Sequence, residues 1–183
     1  MQEVEWGKFS MIEAERRLLA NALLDNSNLR FILLSEACIP LFNFPTIYNY
    51  LMNSTKTFVE AYDLRGLVGH GRYNKRMKPQ IKLRQWRKGS QWFELDRQLA
   101  MKSRNSNRSL TWVDWSKGGL HPAKFGRTKV TIDLLKKMRN GSHCIYNGKT
   151  TNICYLFARK FLPSALDRLL RVAPKLMNRS IHK

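Results

Sequence analysis

The densest chemical signal in the sequence is the run from Arg72 to Lys88, in which Lys and Arg are interleaved with Tyr73 and Trp86. Cations neutralise phosphate oxygens and aromatic faces stack on bases or sugar rings, so this composition suits a phosphorylated or nucleic acid ligand. A solvated basic loop has the same composition, and both readings stay open. A second group is Arg139 with Arg159-Lys160, which follows the strand-like Cys154-Tyr-Leu-Phe157. Two cations converging on a diphosphate leaving group stabilise the charge that develops as its bond breaks, a task otherwise given to a divalent metal. Cations near helix ends are also common for purely electrostatic reasons. No Asp-x-Asp is present, and Glu94-Leu-Asp96 comes closest; it is weak, because alternate residues of any strand share a face. Trp112-Val-Asp114-Trp115 sets two aromatics beside a carboxylate near a predicted strand end, where a sugar platform competes with ordinary core packing. Of the four histidines only His70 and His121 lie in motif-like surroundings, with no Ser-His-Asp or Cys-His arrangement, no Walker loop and no GxGxxG. Hydrolase and nucleotidase chemistry therefore has little support.

The elements that would hold these residues alternate. Ser10-Met-Ile-Glu13 has the form of a capping box, and Met11, Ala14, Leu18 and Ala22 continue at helical spacing until Asp25. A buried-strand pattern follows at 29–34, then a short helix after Pro45 and a strand around Phe58 to Tyr62. Gly66 to Gly89 reads as a long loop, of a length that is usually functional. Strands at 90–95 and 110–115 flank a helix from Asp96 to Lys102. Further helices are predicted from Thr131, as cap, to Arg139, with Gly141 as stop, and from Ser164 to Val172. Helix and strand in alternation imply an α/β fold, a mixed sheet flanked by helices.

Length, charge and cysteine content bound the answer further. The 183 residues, 43% hydrophobic, suffice for one packed domain. Net charge is +20, and residues 64–183 carry 28 basic against 5 acidic side chains, so an anionic partner meets that part of the chain. Phe31 to Phe44 is the longest apolar stretch and is too short and too interrupted to span a bilayer; no secretion signal is legible at the start. The expectation is a cytosolic protein or one whose N-terminus is missing. Three cysteines, with no CxxC and no His/Cys spacing, make structural zinc an unsuitable reading. Sequons stand at Asn53, Asn107, Asn140 and Asn178, and they matter only in a secretory compartment.

Six segments in register carry a family resemblance: Trp6-Gly-Lys-Phe-Ser10, Leu33-Leu-Ser-Glu-Ala-Cys-Ile-Pro-Leu41, Arg72-Tyr-Asn-Lys-Arg76, Gly89-Ser-Gln-Trp-Phe93, Leu110-Thr-Trp-Val-Asp-Trp-Ser116 and Cys154-Tyr-Leu-Phe-Ala-Arg-Lys-Phe161. They resemble the core-2/I-branching β-1,6-N-acetylglucosaminyltransferase family, its plant branch most closely. The resemblance implies a partial glycosyltransferase-A-like fold, an incomplete catalytic domain over 1–177 with a tail at 178–183, in a type II Golgi membrane protein, on the lumenal side. It also implies inverting transfer of N-acetylglucosamine or another sugar from a UDP sugar to a glycan acceptor, without metal or other cofactor. By motif position Lys160 matches the family's diphosphate-binding lysine, and Arg139, more loosely, its partner arginine. Trp112 matches an acceptor-side tryptophan, while Arg72, Lys75 and Arg76 match a basic loop near the active site. Cys38 matches a cysteine of a family turn, and here that turn reads Cys-Ile-Pro-Leu-Phe. In a lumenal chain Cys144 and Cys154, which enclose a short loop rich in turn residues, are expected to bridge and leave Cys38 free.

Two departures bear on activity. The family segment whose Asp-Glu-His-like motif supplies the catalytic base is absent, and Ser103-Arg-Asn-Ser-Asn107 joins its two sides directly. The resemblance further implies that the tail, the membrane anchor that alone would contact a membrane, and the first nucleotide-binding strands are missing from this sequence. Asp114 is the nearest substitute base. The expectation is a truncated, inactive relative of a glycosyltransferase. The alternatives are a nucleic-acid-binding basic module, which the resemblance disfavours, and a noncatalytic lumenal partner of full-length relatives.

Overall fold

The computed structural model describes residues 3–5, 7–59, 61–89, 91–104 and 124–177. The described chain divides into two compact units, one made of residues up to Leu33 with 57–104, the other of 34–56 with 124–177.

The first unit is built around helix α1 (Phe9–Ala22) and two short antiparallel strands, β1 (Arg30–Ile32) and β3 (Glu94–Asp96). Leu95 and Ala100 are fully buried with Leu19, Leu23, Phe31 and Phe93 around them. The apolar stripe of α1 is thus covered by the β1–β3 pair and by helix α3 (Arg97–Arg104). Asp96 starts α3, its carboxylate accepting from the Leu99 amide at 2.7 Å. The Arg97 guanidinium ties down the turn between α1 and β1, donating to the carbonyls of Leu23, Asp25 and Asn28 and to the Asn26 side chain.

Local patterning misleads in two places here. Ser10 and Glu13 do not form the capping box. Lys8 is the cap residue and its side chain makes no capping hydrogen bond, the Ser10 hydroxyl accepts from the Glu5 amide at 3.1 Å, and Glu13 faces Arg16 and Arg17. The helix begins one residue before Ser10, so both side chains point away from the free amides. The strand expected at Phe58–Tyr62 is reduced to two isolated bridges, Phe58 with Glu94 and Tyr62 with Lys88.

The second unit contains β2 (Ile39–Pro40), α2 (Phe44–Met52), α4 (Ile132–Asn140), β4 (Cys144–Tyr146), β5 (Lys149–Thr151), β6 (Phe157–Ala158) and α5 (Leu166–Met177). Asn43 caps α2 by accepting from the Thr46 amide, with Pro45 in the first turn where its missing N–H costs nothing. Thr131 caps α4 through the Leu134 amide, as its position predicts. Gly141 does end α4, though not through a left-handed backbone. Its φ is −79°, and its amide donates to the Lys137 carbonyl so closely that a Cβ would lie 2.3 Å from that oxygen. The last helix starts later than predicted, after a 3₁₀ turn at Pro163–Ala165, and runs on to Met177.

The described sheet structure is three two-stranded antiparallel pairs, β1–β3, β2–β6 and β4–β5, not the continuous sheet the α/β alternation suggests. A mixed arrangement survives only locally, where Phe125 pairs parallel with Phe161 beside the antiparallel β2–β6 pair. Strands of two or three residues offer too few backbone donors and acceptors to recruit further neighbours. The chain is mixed α/β; the strand at 110–115, with Trp112 and Asp114, lies outside the described residues.

Candidate functional site

Lys160 stands on a segment fixed from both sides. β6 pairs with β2, the Phe161 amide donates to the Ala37 carbonyl at 2.9 Å, and the Phe125 amide donates to the Lys160 carbonyl at 2.9 Å. The Phe125 and Phe161 rings stack with centroids 5.1 Å apart, and Ala158 and Phe161 are buried. The half-buried Lys160 side chain therefore leaves from a backbone with little freedom.

Arg139, in the last turn of α4, is engaged in packing. Its Nη1 donates to the Leu176 carbonyl at 2.6 Å, the guanidinium carbon sits 4.5 Å from the centroid of the Phe42 ring, and Nε is buried without a partner. Burial pushes its pKa below the usual arginine value. The side chain satisfies one of the orphan carbonyls at the end of α5 and lines an apolar cavity of about 220 Å³ with leucines of that helix. Lys160 is not among the residues lining that cavity.

In the first unit Arg72, Lys75 and Arg76 are exposed on consecutive 3₁₀ turns, His70–Arg72 and Lys75–Met77. The aromatic residues between the cations do not form an outward stacking platform. Tyr73 donates to the Ile81 carbonyl at 2.6 Å, Trp86 Nε1 donates to the Gly69 carbonyl at 3.1 Å, and the two rings meet edge to face at 6.0 Å. They are the loop's own small core, and a further pair, His70 with Asp63, closes its start. Hydrogen bonding to His70, then the nearby charges of His70, Arg87 and Arg65, holds the Asp63 carboxyl below its ordinary value.

The carboxylates at 94 and 96 both have local partners. Glu94 is fully buried, accepting from Arg30 Nη1 at 3.0 Å and from the Phe58 amide at 3.3 Å. Desolvation raises its pKa, with Arg30 opposing. Asp96 caps α3. The Arg30–Glu94 pair has no signature in the sequence, since its members are 64 residues apart. Among the described residues no three His, Cys, Asp or Glu converge as metal ligands would.

Cys144 and Cys154 are joined by a disulfide, with Cα atoms 5.7 Å apart, across the β4–β5 hairpin. Cys38 is a free thiol beside the Ser35 hydroxyl at 3.4 Å. Of the sequon asparagines, Asn53 and Asn140 are exposed at the ends of α2 and α4, although the Thr55 hydroxyl of the first sequon is tied to Asn147 at 2.8 Å. Asn107 and Asn178 lie outside the described residues, as do Trp112, Asp114 and the tail at 178–183.

A chain of helices and short strands, with a clamped lysine and an exposed basic loop, is compatible with several transferases. Comparison with known proteins settles its family. The Core-2/I-Branching enzyme family matches residues 1–102 and 99–139, and the chain belongs to that family. The two matched pieces meet within α3, at residues 99–102. The rice (Oryza sativa subsp. japonica) protein Glycosyltransferase BC10 is 50% identical over 99 residues, which cover 54% of this chain and 24% of the relative. The chain thus spans about a quarter of that curated relative's length. No solved structure matches it.

Proposed function

We propose that this chain is part of the catalytic domain of a glycosyltransferase that moves a sugar, N-acetylglucosamine or another, from a UDP sugar to a glycan acceptor with inversion and without metal. The observation that carries the proposal is the family match running through both units, to which the plant relative adds half-identity over 99 residues. In such a transfer the acceptor hydroxyl oxygen attacks the sugar's anomeric carbon, the bond to the diphosphate breaks, and UDP leaves carrying the negative charge. Lys160 is the group we assign to that charge, because its backbone is held on both sides. Arg139 is the weaker candidate, since its guanidinium is already engaged with Leu176 and Phe42. Metal independence draws support from Glu94 and Asp96, whose carboxylates are held by Arg30 and by the start of α3. The Cys144–Cys154 bridge favours a secretory compartment, here the Golgi lumen, where the exposed Asn53 and Asn140 would meet the glycosylation machinery.

The proton of the acceptor hydroxyl needs a base, and general-base catalysis contributes about 10²–10⁴-fold. On our reading that the family's base segment is missing, transfer by this polypeptide is expected to be slower than in its relatives by that factor. Transfer at full rate, unaffected by Asp114→Asn, would refute this. The donor site is tested by calorimetric titration with UDP and UDP-GlcNAc in EDTA. Binding that disappears in Lys160→Ala while the variant keeps its circular dichroism spectrum supports the assignment; no binding by the folded chain overturns it.

A further inference from the structure

Resting on the transferase reading, we infer that the loop from Leu64 to Gly89 is a preorganised binding surface for an acidic polysaccharide, so that the acceptor carries carboxylate or sulfate groups. The loop holds nine Lys and Arg, and the sequence has no acid between Asp63 and Glu94. Among the described residues none of these nine cations forms an ion pair, and Arg72, Lys75, Arg76, Lys82 and Arg84 are all exposed. Asp63 lies near Arg65 and Arg87; the remaining like charge repels itself, and a counter-charge along the loop would relieve that repulsion.

The loop is also well fixed for its length. Tyr62 and Lys88 close its base with reciprocal backbone hydrogen bonds of 2.9 Å, the Tyr73 and Trp86 side chains cross-link its interior, and 3₁₀ turns occupy His70–Arg72, Lys75–Met77 and Leu83–Gln85. A polyanion meeting cations already in place pays less ordering entropy than one meeting a flexible tail. The same geometry favours a glycan over nucleic acid. The polar atoms of both rings are hydrogen-bonded within the loop and the rings meet edge to face, which leaves less ring face for the stacking that single-stranded nucleic acid binding relies on, and no described α-helix carries these cations into a groove. What remains is outward positive charge on an irregular surface, suited to carboxylates or sulfates spaced along a sugar chain.

The test is titration of the purified chain, without nucleotide, with polygalacturonate, heparin, dextran and a short DNA duplex. The expected result is binding to polygalacturonate, heparin or both, with none to dextran. The tighter of the two acidic glycans identifies carboxylate or sulfate. The charge reversal Lys75→Glu with Arg76→Glu should weaken that binding by about tenfold or more. Lys136→Glu with Lys137→Glu, the same charge change on α4, should leave it within about twofold, because a nonspecific effect of net charge would act equally on both. Should the first variant fail to fold, Lys82→Glu with Arg84→Glu replaces it. Equal losses from the two helix and loop pairs, tighter binding to DNA than to either acidic glycan, equal binding to dextran, or no binding would overturn the inference. Since no nucleotide is present, failure here and failure of the Lys160→Ala donor experiment are separate results.

Discussion

Replacing Arg30 by Met removes the charge and the donor that face Glu94 while keeping most of the side chain's length. Glu94 is fully buried and Arg30 is 14% exposed, so the cost is that of a broken buried pair, about 3–5 kcal/mol, not the small value of a surface bridge. What would remain for the carboxylate is the Phe58 amide at 3.3 Å. For a chain of this length that loss corresponds to a fall in Tm of about 6–20 °C. The pH dependence has a definite sign. Burial raises the Glu94 pKa in the fold above its value in the unfolded chain, so the native state holds the extra proton and stability declines as pH rises from the unfolded value through the folded one. Arg30 opposes that rise; without it the folded pKa moves higher, and the deficit of Arg30→Met should be larger at pH 7 than at pH 5. Thermal unfolding followed by circular dichroism at both values reads this directly, and Arg30→Met with Glu94→Gln should recover part of the loss. A variant that melts within 2 °C of the parent at pH 7, or whose deficit grows on acidification, would refute the reasoning.

Two smaller perturbations test the second unit. Cys144→Ser with Cys154→Ser opens a loop whose ends are 10 residues apart, and should lower stability by about 2–3 kcal/mol, read as a shift in denaturant midpoint; thiol counting on the untreated chain should find one free cysteine. Gly141→Ala would place a methyl group 2.3 Å from the Lys137 carbonyl oxygen, so the end of α4 must shift at a cost of about 1–3 kcal/mol, whereas Gly148→Ala would meet no neighbouring atom and suffer only from its φ of +81°. Equal Tm values for parent and Gly141→Ala would contradict the close approach.

Much of the local structure was legible because it depends on near neighbours. Helical spacing places α1, Pro45 marks the start of α2 to within a residue or two, Thr131 caps α4, and the polar Asp25-Asn-Ser-Asn28 stretch ends a helix, all within a few residues of the bonds they make. The family could be read from six short segments because family membership is a property of sequence itself. Tertiary structure decided what each side chain is used for. Tyr73 and Trp86 have the composition of a ligand platform and become the interior of their own loop. Glu94 and Asp96 look like a weak metal pair, yet one is matched by Arg30 and the other starts a helix. Arg139, expected as a partner for a diphosphate, also donates to the Leu176 carbonyl in the last turn of α5. The strands shrink to pairs of two or three residues because a strand's length depends on what lies beside it. Periodicity and caps are set along the chain, whereas the partner of a buried charge or an aromatic ring is set by segments distant in sequence, and no local pattern carries that information.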